Sequence, residues 1–202
     1  MTSPGPGAGQ PAATQREHVL IVGRSQAVLA DTVALLSDRG YTASATNRFD
    51  DVLAEFGVRD LDLAVFGGQV PADTREQLKA GLTAVSPGVI FVDGLAGIPG
   101  LIVAQIEGAL AARRPQPPQS VSYAPAGRTI DLWISQPADV TVTAWWPTSV
   151  VPPDPKSDSL LLLDRHLERG SHAITVPDPV PETAAFAAVR AGPATHVLRL
   201  GS

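Results

Sequence analysis

The run from Val19 to Arg48, VLIVGRSQAVLADTVALLSDRGYTASATNR, limits the possible folds more than any other stretch. Val19–Gly23 is an unbroken series of strand formers, suited to a central parallel strand covered on both faces. Ser25 stands where it can cap the next helix. Within that helix Val28, Thr32, Leu35 and Leu36, with Leu29 and Val33 beside them, draw one broad apolar stripe. Arg39 and Gly40 stop it, and Tyr41–Thr46 reads as the second strand. So short a return requires a right-handed crossover to a parallel neighbour.

The same alternation continues. Asn47 opens a short helix carrying Phe49, Val52, Leu53 and Phe56, and Gly57 ends it. Leu61–Phe66 is a third strand, and Gly67–Gly68 a sharp turn. After Pro71, Asp73 with Glu76 three residues on has the spacing of a capping box. The helix it starts carries Leu78, Leu82 and Val85, and Gly81 costs it roughly 1 kcal/mol against Ala. Val89–Val92 is the fourth strand, and residues 100–113 the last helix, with Ile102, Ile106, Ala109 and Leu110 on one side. A doubly wound, parallel, four-stranded sheet is the predicted architecture over residues 18–113.

The motifs resemble a shortened short-chain dehydrogenase/reductase: GRSQAVL after the first strand, RGYTASATNR around the second, LDLAVFGGQ at the third, GVIFVDGLAGIPG at the fourth. One strand–helix unit after Arg48 is missing from the family's pattern. The resemblance implies three spaced glycines in the first turn. Gly23 matches the first, but Ala27 and Leu29 stand at the second and third, where pyrophosphate approach and close helix packing need glycine. It also places the catalytic Ser, Tyr and Lys at Gly94, Ala104 and Gly108, none of which can move a proton. What remains for NAD or NADP is a weak set, Gly23, Arg24, Ser25, Asn47 and Arg48. A second resemblance, to the receiver domain of two-component signalling, rests on VLIVG, DLAVFGGQVP and VIFVDG. Its acidic pair would be Gly23 and Arg24, its phospho-acceptor Gly67 and its hydroxyl residue Asp93. Both resemblances imply lost chemistry.

From Ala111 the chain changes character. AARRPQPPQ reads as a semi-rigid linker, assigned to residues 114–119. Residues 129–135 and 139–146 then alternate strictly, and shorter strands follow at 159–163, 173–176, 182–190 and 196–200. This spacing predicts a small antiparallel β-sandwich over residues 120–202, immunoglobulin- or fibronectin-like in layout. Ile130, Leu132 and Ile134 form one apolar set, and Val140, Val142, Ala144 and Trp146 another. A two-residue turn at Pro137–Ala138 would set them on opposite faces of a hairpin. The connection is therefore odd-numbered, or the strands belong to facing sheets. Trp133 and Trp145 point away from the core in either case, which marks them for the first domain, another subunit or a partner.

Charge and composition exclude more than they assign. A net charge of −5, with 15 scattered basic residues, argues against nucleic acid or an anionic membrane as partner. No cysteine is present, so thiolate metal sites and nucleophiles are excluded. Residues 1–17 are Pro/Gly-rich without the pattern of a signal peptide, and read as a disordered tail on a cytoplasmic, bacterial protein. His166, His172 and His196 with Asp164 match no metal-ligand spacing. Asp154 and Asp158 belong to a solvated loop, and Ser25 and Ser171 sit in no nucleophile elbow. Asp31 and Asp93 are a solvated helix position and a cap. The expectation is a non-catalytic binding or assembly module without cofactor or metal. It would act through a protein partner or self-association. The helices at 73–85 and 100–113 would meet a second copy at Ala104, Gly108 and Ala111–Ala112.

Overall fold

The computed structural model describes residues 16–55, 58–149, 151 and 155–201. Phe56, Gly57 and Asp154, named above, lie outside the described residues. The first half contains β1 (His18–Val22), α1 (Gln26–Asp38), β2 (Thr42–Thr46), α2 (Val52–Glu55), β3 (Leu63–Phe66), α3 (Ala72–Val85), β4 (Ile90–Asp93) and α4 (Pro99–Ala111). Its strands are all parallel, in the order β2-β1-β3-β4. Alternate residues of β1 and β3 face opposite ways. Val19, Ile21, Leu63 and Val65 meet α1 and α4, while Leu20, Val22, Ala64 and Phe66 meet α2 and α3. Both faces are thus covered, as runs of continuous apolar residues require.

Local signals hold in most places. Ser25 caps α1, accepting from the Val28 amide at 3.4 Å. The capping box at Asp73 does not form. Pro71 is extended and the helix begins at Ala72, so Asp73 lies in the first turn, where its charge meets the positive end of the helix dipole. Among the described residues the helix expected from Asn47 starts only at Val52, as α2, because Thr46 Oγ1 accepts from the Arg48 amide at 3.0 Å and holds the preceding segment in a bend.

The second half is a sandwich of two antiparallel sheets around one core. Its strands are β5 (Gln119–Ala124), β6 (Thr129–Ile134), β7 (Ala138–Ser149), β8 (Lys156–Leu167), β9 (Gly170–Thr175), β10 (Phe186–Ala191) and β11 (Ala194–Arg199). One sheet runs β5-β6-β9 and the other β11-β10-β7-β8. The parity question is settled by this division. β6 and β7 belong to facing sheets, and Ile130, Leu132 and Ile134 meet Val140, Val142 and Ala144 in a single core. Segment 182–185 is not strand, and β8 extends well beyond its leucines.

α4 lies between the two halves. Ile102, Ile106 and Leu110 face the parallel sheet, whereas Leu101 packs with Phe186, Trp145 and Val197 on the outer face of β10, β7 and β11. Such a helix must be apolar nearly all round.

Candidate functional site

Strand order reverses between β1 and β3, the place where open parallel sheets bind ligands. Three glycines end the strands there, continuing the ladder. Gly67 N–H donates to Val22 O and Gly94 N–H to Phe66 O, both at 2.8 Å. A Cβ on Gly67 would stand 3.5 Å from Gly23 Cα, in ordinary contact with the neighbouring strand end. Leu29 Cδ2 comes within 3.4 Å of the place a Gly23 Cβ would take, and the leucine is buried. Arg24 then spans the switch point: its Nε donates to Gln69 O at 3.0 Å, and its guanidinium lies 5.8 Å from the Phe49 ring centre.

The other sequence candidates sit around this rim without converging. Ser25 is committed to the α1 cap, Asn47 is exposed, and Arg48 is 3.8 Å from Asp51. Asp93 pairs with Arg75 at 3.0 Å. Val70 N–H donates to Gly67 O at 3.0 Å, making the expected turn. Gly94 is at the rim, but Ala104 and Gly108 are carried away from it along α4.

The small residues of α4 serve a different contact from the one expected. Ala104 is buried within the chain. A Cβ on Gly108 would meet Thr195 O at 2.6 Å, and one on Gly100 would meet Trp145 Nε1 at 2.8 Å. These residues let the helix approach its own sandwich, so they are unavailable to a second copy. An arginine in place of Ala104 would have no room here and would break this seam. α3 lies across the parallel sheet from α4, so the two helices form no common patch. Trp145 is accounted for by the first half of the chain, one of the destinations anticipated for it. Trp133 remains outward, 38% exposed.

Glu107 locks the seam electrostatically. One carboxylate oxygen is 3.2 Å from Arg39 Nε, and the other accepts from Arg190 on β10. Arg114 pairs with Glu17 at 2.9 Å beside them. Glu17, Glu107, Arg114 and Arg190 line a cleft of about 200 Å³ together with Tyr41. Burial, then the Glu107 and Glu17 carboxylates, push the Tyr41 phenol above its ordinary range. A larger hollow of about 590 Å³ opens at one end of the sandwich beside Tyr123 and Arg128. The Arg128 guanidinium is spent there on the carbonyls of Val176, Pro177 and Val180.

The histidines stay apart. His166 bonds Asp139 at 2.9 Å and His172 bonds Glu168 O at 2.7 Å. His196 Nε2 is buried with no partner among the described atoms, and burial pushes its pKa down. Asp158 bonds its neighbour's amide. Among the described residues no group of three or more potential ligands could hold a metal ion. Nor is any helix there long and apolar enough to cross a membrane.

No family model matches this chain, and no curated protein does. Among solved structures it is similar to a structural-genomics protein from Agrobacterium tumefaciens, at 12% identity and a TM-score of 0.32 over 94% of this chain and 97% of that one. It is also similar to an NAD kinase from Archaeoglobus fulgidus in complex with ATP, at 12% identity and a TM-score of 0.32 over 92% and 84%. Likenesses this faint carry no argument about function.

Packing of Trp145 on the first half is anticipated by the sequence, but the part that α4 plays in that seam is not. Its signal was α4 itself, PGLIVAQIEGALA, with one charged residue in thirteen and small residues at 100, 104 and 108. A helix with no polar face needs cover on both sides.

Proposed function

We propose that this chain is a non-catalytic binding module. In this reading a degenerate, dehydrogenase-like α/β half serves as a rigid mount for a β-sandwich that meets a protein partner or another copy. The observation that carries the reading is Arg24 lying across the β1–β3 switch point onto Gln69 O, with Leu29 packed beneath Gly23. A diphosphate seated there would meet Leu29, where the resembled family offers glycine, and Arg24 could turn to it only by giving up its bond to Gln69 O.

The sandwich supports the same view. Its four-stranded sheet keeps β8 beside β7 and exposes a long edge strand on which Leu161 is 55% exposed. Edge strands of that length are natural places for another chain to add, although the irregular register between Val142 and Thr143 blunts this one. The receiver resemblance predicts the same β2-β1-β3-β4 order up to this point, so topology alone does not separate the two ancestries. After α4 the described chain passes into the sandwich instead of a fifth parallel strand.

The deciding experiment is titration calorimetry with NADH and with NADPH. The expected result is no heat and no shift in melting temperature for either. Micromolar binding of one of them would replace this reading with that of an oxidoreductase using other catalytic groups.

A further inference from the structure

We infer that the outer face of the β5-β6-β9 sheet is a platform for an uncharged polysaccharide, with Trp133 as the ring on which a pyranose stacks. β6 is the middle strand, and its burial alternates: Ile130, Leu132 and Ile134 inward, Asp131 and Trp133 outward. Register places Ser120 directly opposite Trp133 on one side and Ser171 on the other. Ser122 and Ala173 flank Asp131 in the same way. Opposed residues on antiparallel strands share a face, with Cβ atoms about 5 Å apart. The indole therefore stands alone on a flat bed of small side chains, hydroxyls on both sides and a carboxylate two residues away.

The face alone is small for a stable protein interface. Three strands about 4.8 Å apart and six residues long make a face of roughly 14 by 20 Å, about 300 Å². A stable protein interface needs about 800 Å² from each partner, and its hot-spot aromatics sit inside a ring of further apolar groups. Here the ring is hydroxylic. Chemistry decides against a nucleic acid, which would also stack on an indole but demands Lys or Arg beside it. No register position on this face carries either. A pyranose fits both limits. One of its faces is a patch of C–H groups matched to the indole, and its equatorial hydroxyls reach sideways toward hydroxyl and carboxylate acceptors. A flat chain of such sugars matches the length of the face. This inference does not depend on whether the α/β half binds a nucleotide.

The test uses the full chain in pull-downs on insoluble cellulose, chitin and starch, followed by calorimetry with the hexasaccharide of whichever polymer retains it. Retention on one polymer is expected, with a Kd between about 10 μM and 1 mM. Trp133→Ala should weaken it at least tenfold while far-UV circular dichroism shows the fold retained, and Trp133→Tyr should recover most of it. Failure of all three polymers to retain the protein, or equal retention of Trp133→Ala, would overturn the proposal. So would light scattering in which Trp133→Ala turns a dimer into a monomer, since the face would then belong to a second copy.

Discussion

Replacing a helical glycine by alanine normally stabilises a helix by about 1 kcal/mol, yet two glycines of this chain should respond with opposite signs. At Gly81 the new Cβ meets Leu53 Cδ1 at 2.5 Å, but that side chain is 44% exposed and free to rotate away. At Gly108 the obstacle is the Thr195 carbonyl, a backbone atom that moves only with the strand. Urea denaturation should show Gly81→Ala neutral to stabilising by about 1 kcal/mol, and Gly108→Ala destabilising by about 1–2 kcal/mol. Equal shifts would mean that α4 does not touch β11. His196 gives a second residue-scale outcome. Its folded pKa is held below the ordinary 6.5 by burial, so the unfolded chain takes up a proton first as pH falls. Its contribution is complete above pH 6.5 and is lost progressively below it. Urea midpoints at pH 7.5 and 5.5 should fall further apart in the wild type than in His196→Leu.

Elements whose burial follows one periodicity were legible in the sequence. The alternating blocks at Ile130–Ile134 and Val140–Ala144 announce strands, and their mismatched parity leaves an odd-numbered connection or two facing sheets, of which the second forms. β1 and β3 were readable because both faces of a parallel sheet need apolar cover. β5 was hidden by its neighbours. Ser120, Val121, Ser122 and Tyr123 alternate as a strand should, but the prolines before and after drew attention to turns. In α4 the sequence shows an apolar side at Ile102, Ile106, Ala109 and Leu110 and a small-residue side at Ala104 and Gly108, but not that the second meets the chain's own sandwich. Leu101 and the glycines pack a surface that exists only once Phe186, more than eighty residues later, has folded onto it. Arg24 is a candidate by position in the sequence, but its reach to Gln69 depends on where the third strand ends, which no local pattern reports.

At the scale of the whole molecule the layers follow in order: α2 and α3, the parallel sheet, α1 and α4, the four-stranded sheet, then the three-stranded sheet. The seam combines apolar packing with Glu107 bridging Arg39 and Arg190, so opening it would expose Leu101, Trp145 and Phe186 together. Scanning calorimetry should therefore record a single transition, with calorimetric and van't Hoff enthalpies in agreement. Two resolved peaks would show that the halves melt independently and that the seam is weak.

A helix without a dry side of its own to spare also limits what evolution can do with these parts. Multidomain proteins usually trade their modules freely, but lifting this sandwich onto another carrier would strand three large side chains in water and leave α4 naked behind it. The two halves are therefore expected to travel through genomes as one inseparable cassette.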